Sequence, residues 1–425
     1  MRVATSLAQL RDTLDKSKVG FELMRVRRAQ AAPHWDVTDG ALQHSSRGFF
    51  SVNGIEIERK QRVLFYQPQG AVTGHLTATH NGERVYLLQA RAEPGCLGQA
   101  QFGPTIQSTP ANYMRLHGGQ TTPYASGFVT FEPQTHIVDD TSQLDLGERY
   151  YFKTKRCILA ETSAPHEAEG PYIWASRDAV RAAAACSAFL NIDLRSILAI
   201  EHWSSDPSTG ELSPCDASVL LSLDAPVRPN IMGALAACLI APPRSSRFLA
   251  IESLQNWRVT EWGLEEGDTD QGFRVDFFHV KAAMREVREW VQPLINSADV
   301  GRVVLACRER GGVAEFLVRA APESGLATGA ALAPTYVRYP GTADEEPDWL
   351  RQISNEPWVA TTESDEGGRF YQDASHYEII KVASDHDLSD ANSAWLTLSE
   401  IKAFLRMSNV CSIQLRGVIS LLLAV

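Results

Sequence analysis

Between Ala90 and Tyr124 the chain gathers side chains that can move protons and hold hydroxyl groups: Glu93, Gln107, Asn112, Tyr113, Arg115, His117 and Tyr124, with Gly118 and Gly119 directly after the histidine. Such a set suits general acid–base chemistry on a polar small molecule, which needs a base titrating near neutrality, donors for developing negative charge and an acid for a leaving group. Glu93 follows an apolar run and precedes Pro94 and Gly95, so desolvation there would raise its pKa; the same setting suits a turn cap, and Glu323, placed alike, fits that second role. His117 is the stronger base candidate, because the glycines let a ligand approach the backbone closely; a packed or surface histidine is the alternative. Tyr113 and Tyr124 can donate hydrogen bonds through their hydroxyls, or simply pack at strand borders. Gln107 and Asn112 are uncharged hydrogen-bonders, or loop braces.

These residues sit inside a pattern that is written twice. Trp35, Phe49–Phe50, Gln67–Pro68, Glu93 and Pro104–Thr105 are answered by Trp257, Phe277–Phe278, Gln292–Pro293, Glu323 and Pro334–Thr335, with one spacing from Glu to Pro in both copies. Asp145, Gly147 and Arg149 are answered by Asp365, Gly367 and Arg369, Trp174 by Trp395, and Ile192, Leu194 and Arg195 by Ile413, Leu415 and Arg416. A repeat of this length is a whole domain, so the pattern predicts a first domain over 1–203, an ordered connection over 204–248 and a second domain over 249–425. The copies differ where the first holds Asn112 to Gly119, and where Asp193 faces Gln414. Chemistry is therefore expected mainly in the first copy.

With 425 residues, 44% hydrophobic and 21% charged, the composition is that of an ordinary soluble globular protein with material for two cores. No apolar run approaches the roughly 18 residues of a membrane span, and no cleavable leader pattern opens the chain, so a cytoplasmic protein is expected. A net charge of -11 without a basic run argues against nucleic acid or membrane partners, while a few local cations still suffice for a phosphate-bearing small molecule. The seven cysteines lack CxxC or Cys/His spacing and are read as reduced, without a metal.

Short β-like runs such as VYLLQARA, YYFKTKRCILAE, GRVVLACRE, AEFLVRAA and HYEIIKVA dominate, with helices over SRDAVRAAAACSAFL and TLSEIKAFLRMS. Val280 to Val291 has helical period, yet its counterpart around Asn53–Gly54 alternates like a strand, so strands are expected in both. The fold class is α+β, each domain a mixed sheet packed with helices.

The stretch Glu93–Pro94–Gly95, Pro104–Thr105–Ile106–Gln107–Ser108–Thr109, Asn112–Tyr113 and His117–Gly118–Gly119 resembles the signature of the NDP-hexose 2,3-dehydratases of deoxysugar biosynthesis. QHSSRGFFSVNGI, NIDLRSIL, REVREWVQPL and SDEGGRFY match that family too, so the resemblance covers nearly the whole chain. It implies two tandem modules of Nudix-like fold without a working Nudix box: Trp290 and Gln292 stand where the metal-binding pattern needs Glu and Gly, and Phe277 replaces an upstream Glu.

It also implies elimination of water from C2 and C3 of a TDP-4-keto-6-deoxyhexose, with no cofactor. A base removes the C3 hydrogen acidified by the C4 ketone, the enolate expels the C2 hydroxyl, and a 3,4-diketo sugar forms. On this resemblance Glu93, Tyr113, His117 and Tyr124 are the catalytic candidates. Gln107, Asn112 and Asp193 are candidates for sugar and base contacts, and Arg115, Lys153, Arg195 and Arg369 for the diphosphate. A homodimer and a downstream 3-ketoreductase that consumes an unstable product are implied as partners. Gln69, Cys96, Pro110 and the segment Ser142 to Gly147 depart from the family pattern, which leaves open an enzyme for another activated keto sugar, or a non-catalytic sugar-nucleotide binder.

Overall fold

The computed structural model describes residues 1–116, 118–130, 132, 134–229, 239, 245–267, 272–342, 345–352, 356–385 and 388–425. Over these described residues it is a mixed α+β structure with four sheets. Its largest sheet contains a hairpin, Ala71–His80 with Glu83–Ala92, whose two turn residues Asn81 and Gly82 both take positive φ (54° and 82°), the geometry that matches strand twist. Gly311 and Gly312 (61° and 83°) close the corresponding hairpin, Gly301–Arg310 with Val313–Pro322.

Both large sheets continue in the same way. Thr154–Thr162 runs parallel to Ala71–His80, and Ala374–Lys381 runs parallel to Gly301–Arg310. Thr135–Leu144 and Val359–Ser364 form the next strands outward, while Tyr172–Ser176 and Ser393–Leu396 flank the hairpins on the other side. The helices Arg177–Ala184 and Leu398–Leu405 follow these flanking strands, each started by a hydroxyl cap, Ser176 or Thr397. Two further helices, Ile192–Ile200 and Ile413–Ser420, contain the paired Leu–Arg segments and pack on each other between the sheets. Among the described residues no helix is long and apolar enough to cross a membrane.

The smaller sheets are exchanged between the halves. Ser246–Leu249, from the second half, pairs with Ser51–Ile57, and Glu22–Val26, from the first, pairs with Phe273–Lys281. Residues around 280–291 form strands at either end, Phe273–Lys281 and Glu289–Ser297, as expected, but 282–288 between them is a projecting loop. The first-half hairpin, Ser51–Ile57 with Lys60–Tyr66, turns tightly on Glu58 and Arg59 instead. In the expected connection, 230–238 and 240–244 lie outside the described residues; Ala217–Leu223 within it is a helix.

Two glycine turns hold the halves face to face. The Gly95 amide donates to the Gly367 carbonyl at 2.8 Å, and the Gly325 amide to the Gly147 carbonyl at 2.7 Å. A Cβ on Gly95 would overlap the carbonyl oxygens of Glu366 and Phe370, and one on Gly325 those of Tyr150 and Gly147. Backbone meeting backbone cannot yield as a side chain can. Gly325→Ala is therefore expected to lower unfolding free energy by about 3 kcal/mol or more, measured by urea titration. Gly98→Ala, where a Cβ meets nothing but φ is +70°, should cost about 1 kcal/mol.

Candidate active site

A cleft of about 650 Å³ opens where the first half meets the projecting loop of the second. Strand alternation supplies its floor: Ala71 and Thr73 point from one strand, Lys153 and Lys155 from the start of its parallel neighbour, and Asp193 from the first turn of the helix above. These side chains form a buried chain of charge. Lys153 Nζ lies 3.1 Å from Asp145 Oδ2, Lys155 Nζ lies 3.2 Å from the same oxygen, and Lys155 also reaches Asp193 Oδ1 at 2.8 Å.

The two lysines shift in opposite directions. Burial penalises the Lys155 cation, but Asp145 and Asp193 more than offset this and hold it well above the usual lysine value. In Lys153 burial wins over Asp145, and Lys155 adds repulsion, so its pKa falls below the usual value. The Lys153 ammonium sits 3.6 Å from the centre of the Tyr150 ring. Asp145 is held far below the usual carboxylate range: burial opposes this, but Lys153 and Lys155 prevail.

At the adjoining corner Glu93 Oε1 accepts from Arg91 Nη2 at 2.8 Å and from Arg285 Nη1 at 2.6 Å. Burial would raise the Glu93 pKa, as the sequence suggests, but Arg91 and Arg285 reverse the sign and bring it down to about 2. Glu93 is thus a fixed anion rather than a carboxyl poised near neutrality. Arg285 comes from the projecting loop, and Glu286 beside it also lines the cleft. Across the cleft Tyr150 OH donates to Glu366 Oε2 at 3.2 Å, and the Arg369 guanidinium stacks over Phe50 at 4.3 Å. The mouth is aromatic: His44 stacks near His34 and meets Trp35 and Phe49 edge-on, and Trp290 lines the opposite wall.

Of the residues singled out by sequence, Glu93, Gln107, Asn112, Lys153, Asp193 and Arg369 line this cleft together. Gln107 is braced by Asn191 Nδ2 at 3.0 Å, the residue that also caps the helix carrying Asp193. Tyr113 and Tyr124 do not line the cleft. They pack on the opposite face of the sheet, against the cluster of Val72, Leu76 and Phe128, and Tyr124 meets Tyr172 at 4.8 Å. Arg115 is exposed and donates to the Gly119 carbonyl. Arg195 is fully buried, 2.7 Å from Glu363 of the second half, which removes it from any phosphate in the cleft. His117 lies outside the described residues.

Arg91, Asp145, Lys155, Arg285 and Glu366 were not singled out as site residues. The Lys–Thr–Lys alternation at 153–155 was the available sign that both lysines share one face; nothing local announces that Arg285 reaches Glu93.

At the mirror position in the second half, Asp373, Ser375 and Gln414 stand for Lys153, Lys155 and Asp193. There Tyr339 is buried and donates to Glu323 Oε2 at 2.9 Å, so a side chain fills the place.

The family model for NDP-hexose 2,3-dehydratase matches residues 9–200 and 241–422. Three similar proteins are described as dTDP-4-dehydro-6-deoxy-alpha-D-glucopyranose 2,3-dehydratase. The one from Saccharopolyspora spinosa is 26% identical over 411 residues, covering 91% of this chain and 84% of that protein. Those from Streptomyces violaceoruber and Amycolatopsis orientalis are also 26% identical, over 91% and 94% of this chain and 89% and 86% of theirs.

The Glu93 cluster makes a pH-dependent contribution to stability. With the folded carboxyl at about 2 against an ordinary 4.5, it is fully present above pH 4.5 and is lost as pH falls through about 2. Arg285→Met should accordingly unfold at lower denaturant than the wild type at pH 7. The gap should narrow steadily as denaturant titrations are repeated from pH 4.5 towards 2.

Proposed function

The chain belongs to the NDP-hexose 2,3-dehydratase family, and on that premise we propose that the cleft around Lys153 and Lys155 is where a TDP-4-keto-6-deoxyhexose loses water from C2 and C3. The protein is a dehydratase acting on a sugar nucleotide. The observation that carries the assignment to this cleft is the pair of buried lysines with opposite charge tendencies.

Lys155, held cationic by two carboxylates, suits the C4 oxygen, where negative charge develops when C3 is deprotonated. Lys153, whose burial favours the neutral amine, takes the C3 proton. The C4 enolate then collapses to expel the C2 hydroxyl, which takes the O3 proton and leaves as water. Lys153 returns its proton to C2 of the resulting enolate, or one exchanged with solvent, which gives the 3,4-diketo sugar. Glu93, ionised and paired, orients a sugar hydroxyl as an acceptor. Arg369, stacked and facing the cleft, suits the diphosphate, and Gln107 and Asn112 suit sugar hydroxyls. The aromatic mouth of His34, Trp35, His44 and Trp290 suits the nucleobase.

The two halves are read as tandem Nudix-like modules, 1–203 and 249–425, descended from one ancestor, a reading supported by their matching strand orders and reciprocally exchanged strands. A symmetric homodimer and a 3-ketoreductase acting next on the reactive diketone belong to the same proposal.

Incubation with TDP-4-keto-6-deoxyglucose and a 3-ketoreductase to trap the product should show loss of the C2 oxygen by mass spectrometry. Intact substrate after exhaustive incubation would overturn the substrate assignment. Lys153→Met should lower kcat by roughly 10²–10⁴-fold; an undiminished kcat in that variant would return the base role to His117. Asp145 raises the Lys153 pKa, so Asp145→Asn should shift the ascending limb of the kcat profile to lower pH.

A further inference from the structure

Behind the cleft, Thr73, His75 and Thr77 alternate along one face of the strand Ala71–His80, beneath the helix Ile192–Ile200. Tyr86 stands across from Thr77 on the neighbouring strand, and its ring stacks on His75 at 5.9 Å. Asp193, in the first turn of the helix, faces the cleft, and Glu201 follows its last residue, roughly 12 Å away at 1.5 Å per residue. Glu201 lies 3.7 Å from Arg84, which also reaches the more exposed Glu161 and Glu211.

Along this line Thr73 Oγ1, both ring nitrogens of His75, Tyr86 OH and Glu201 Oε2 are buried and have no hydrogen-bond partner among the described residues. Burial holds His75 neutral, with its pKa near 3, leaving one nitrogen to donate and one to accept. Burying such groups without partners costs stability, and sites of this kind normally hold ordered water.

The second half supplies an internal control. By strand and helix register its equivalent positions are Val303, Leu305, Cys307, Ala314, Phe316 and Leu422, all buried and forming the same core. The fold therefore accepts an apolar seam here, and the half that carries the lysine pair has a polar one.

We propose that Thr73, His75, Tyr86 and Glu201 form a hydrated seam that exchanges protons between the reaction cleft and solvent near Arg84 and Glu211. This rests on the dehydratase reading for its use, though not for its existence. The seam chemically balances by simple exchange: a proton taken from C3 passes outward through water, Thr73 and His75 as an equivalent solvent proton enters, with no bond formed or broken elsewhere. His75 and Tyr86 are positioning residues, since neither touches the substrate.

His75→Leu and Tyr86→Phe each install the residue of the second half, so both variants should fold, with thermal midpoints equal to or above the wild type. With substrate deuterated at C3 in ordinary water, the wild type should wash the label out of the trapped product. The variants should retain several-fold more deuterium at C2, with kcat about tenfold lower and KM unchanged. Independently of turnover, nitrogen-15 histidine NMR of the ligand-free protein should show rapid exchange of the His75 ring proton with water. Wild-type label retention and kcat in both variants would overturn the seam, as would a His75 ring proton in slow exchange. An inactive wild type with a rapidly exchanging His75 would instead sink the dehydratase reading alone.

Discussion

The seating of two glycine turns on the backbone of the opposite half is the contact on which the rest depends. Gly95 and Gly325 each bring an amide against a carbonyl at a distance no side chain would permit. Because the turns are reciprocal, neither half completes its own surroundings. Strands Glu22–Val26 and Ser246–Leu249 cross over, and Arg195 finds its carboxylate partner, Glu363, across the divide. A buried guanidinium and a buried carboxylate are tolerable only together, so this pair ties the helix Ile192–Ile200 to the strand Val359–Ser364 of the other half.

That arrangement delivers the cleft its charge. Glu93 follows a strand of the first half, yet its ionisation is decided partly by Arg285, delivered by a loop of the second. The first-half hairpin has a tight turn at Glu58 and Arg59 where the second-half hairpin has the loop 282–288. One extended loop thereby makes two similar frameworks inequivalent. The lysines complete the difference: in the second half Asp373 and Ser375 occupy their places, and Tyr339 fills the space.

Sequence reasoning located strands such as Glu83–Ala92 and Gly301–Arg310, and the helices after Trp174 and Trp395, because periodicity and turn residues are local signals. It brought Lys153, Asp193, Gln107, Asn112 and Arg369 to attention, and these meet at one cleft. It erred on the direction of the Glu93 pKa, since burial is legible from an apolar run while the arginine that outweighs it lies far along the chain. Tyr113 and Tyr124 belong to the same polar stretch as Asn112, but they pack on the far side of the sheet. Arg195 looked like a phosphate ligand because its charge is visible in sequence and its partner is not.

The family, the mixed α+β class and the short-range elements were thus determined by residues acting over a few positions or by a pattern repeated along the chain. Which carboxylates are anions and which lysine is pushed towards neutrality were decided by tertiary structure alone. Charge and desolvation act through space with steep dependence on distance and burial, so groups remote in sequence set one another's state only once the two halves have closed.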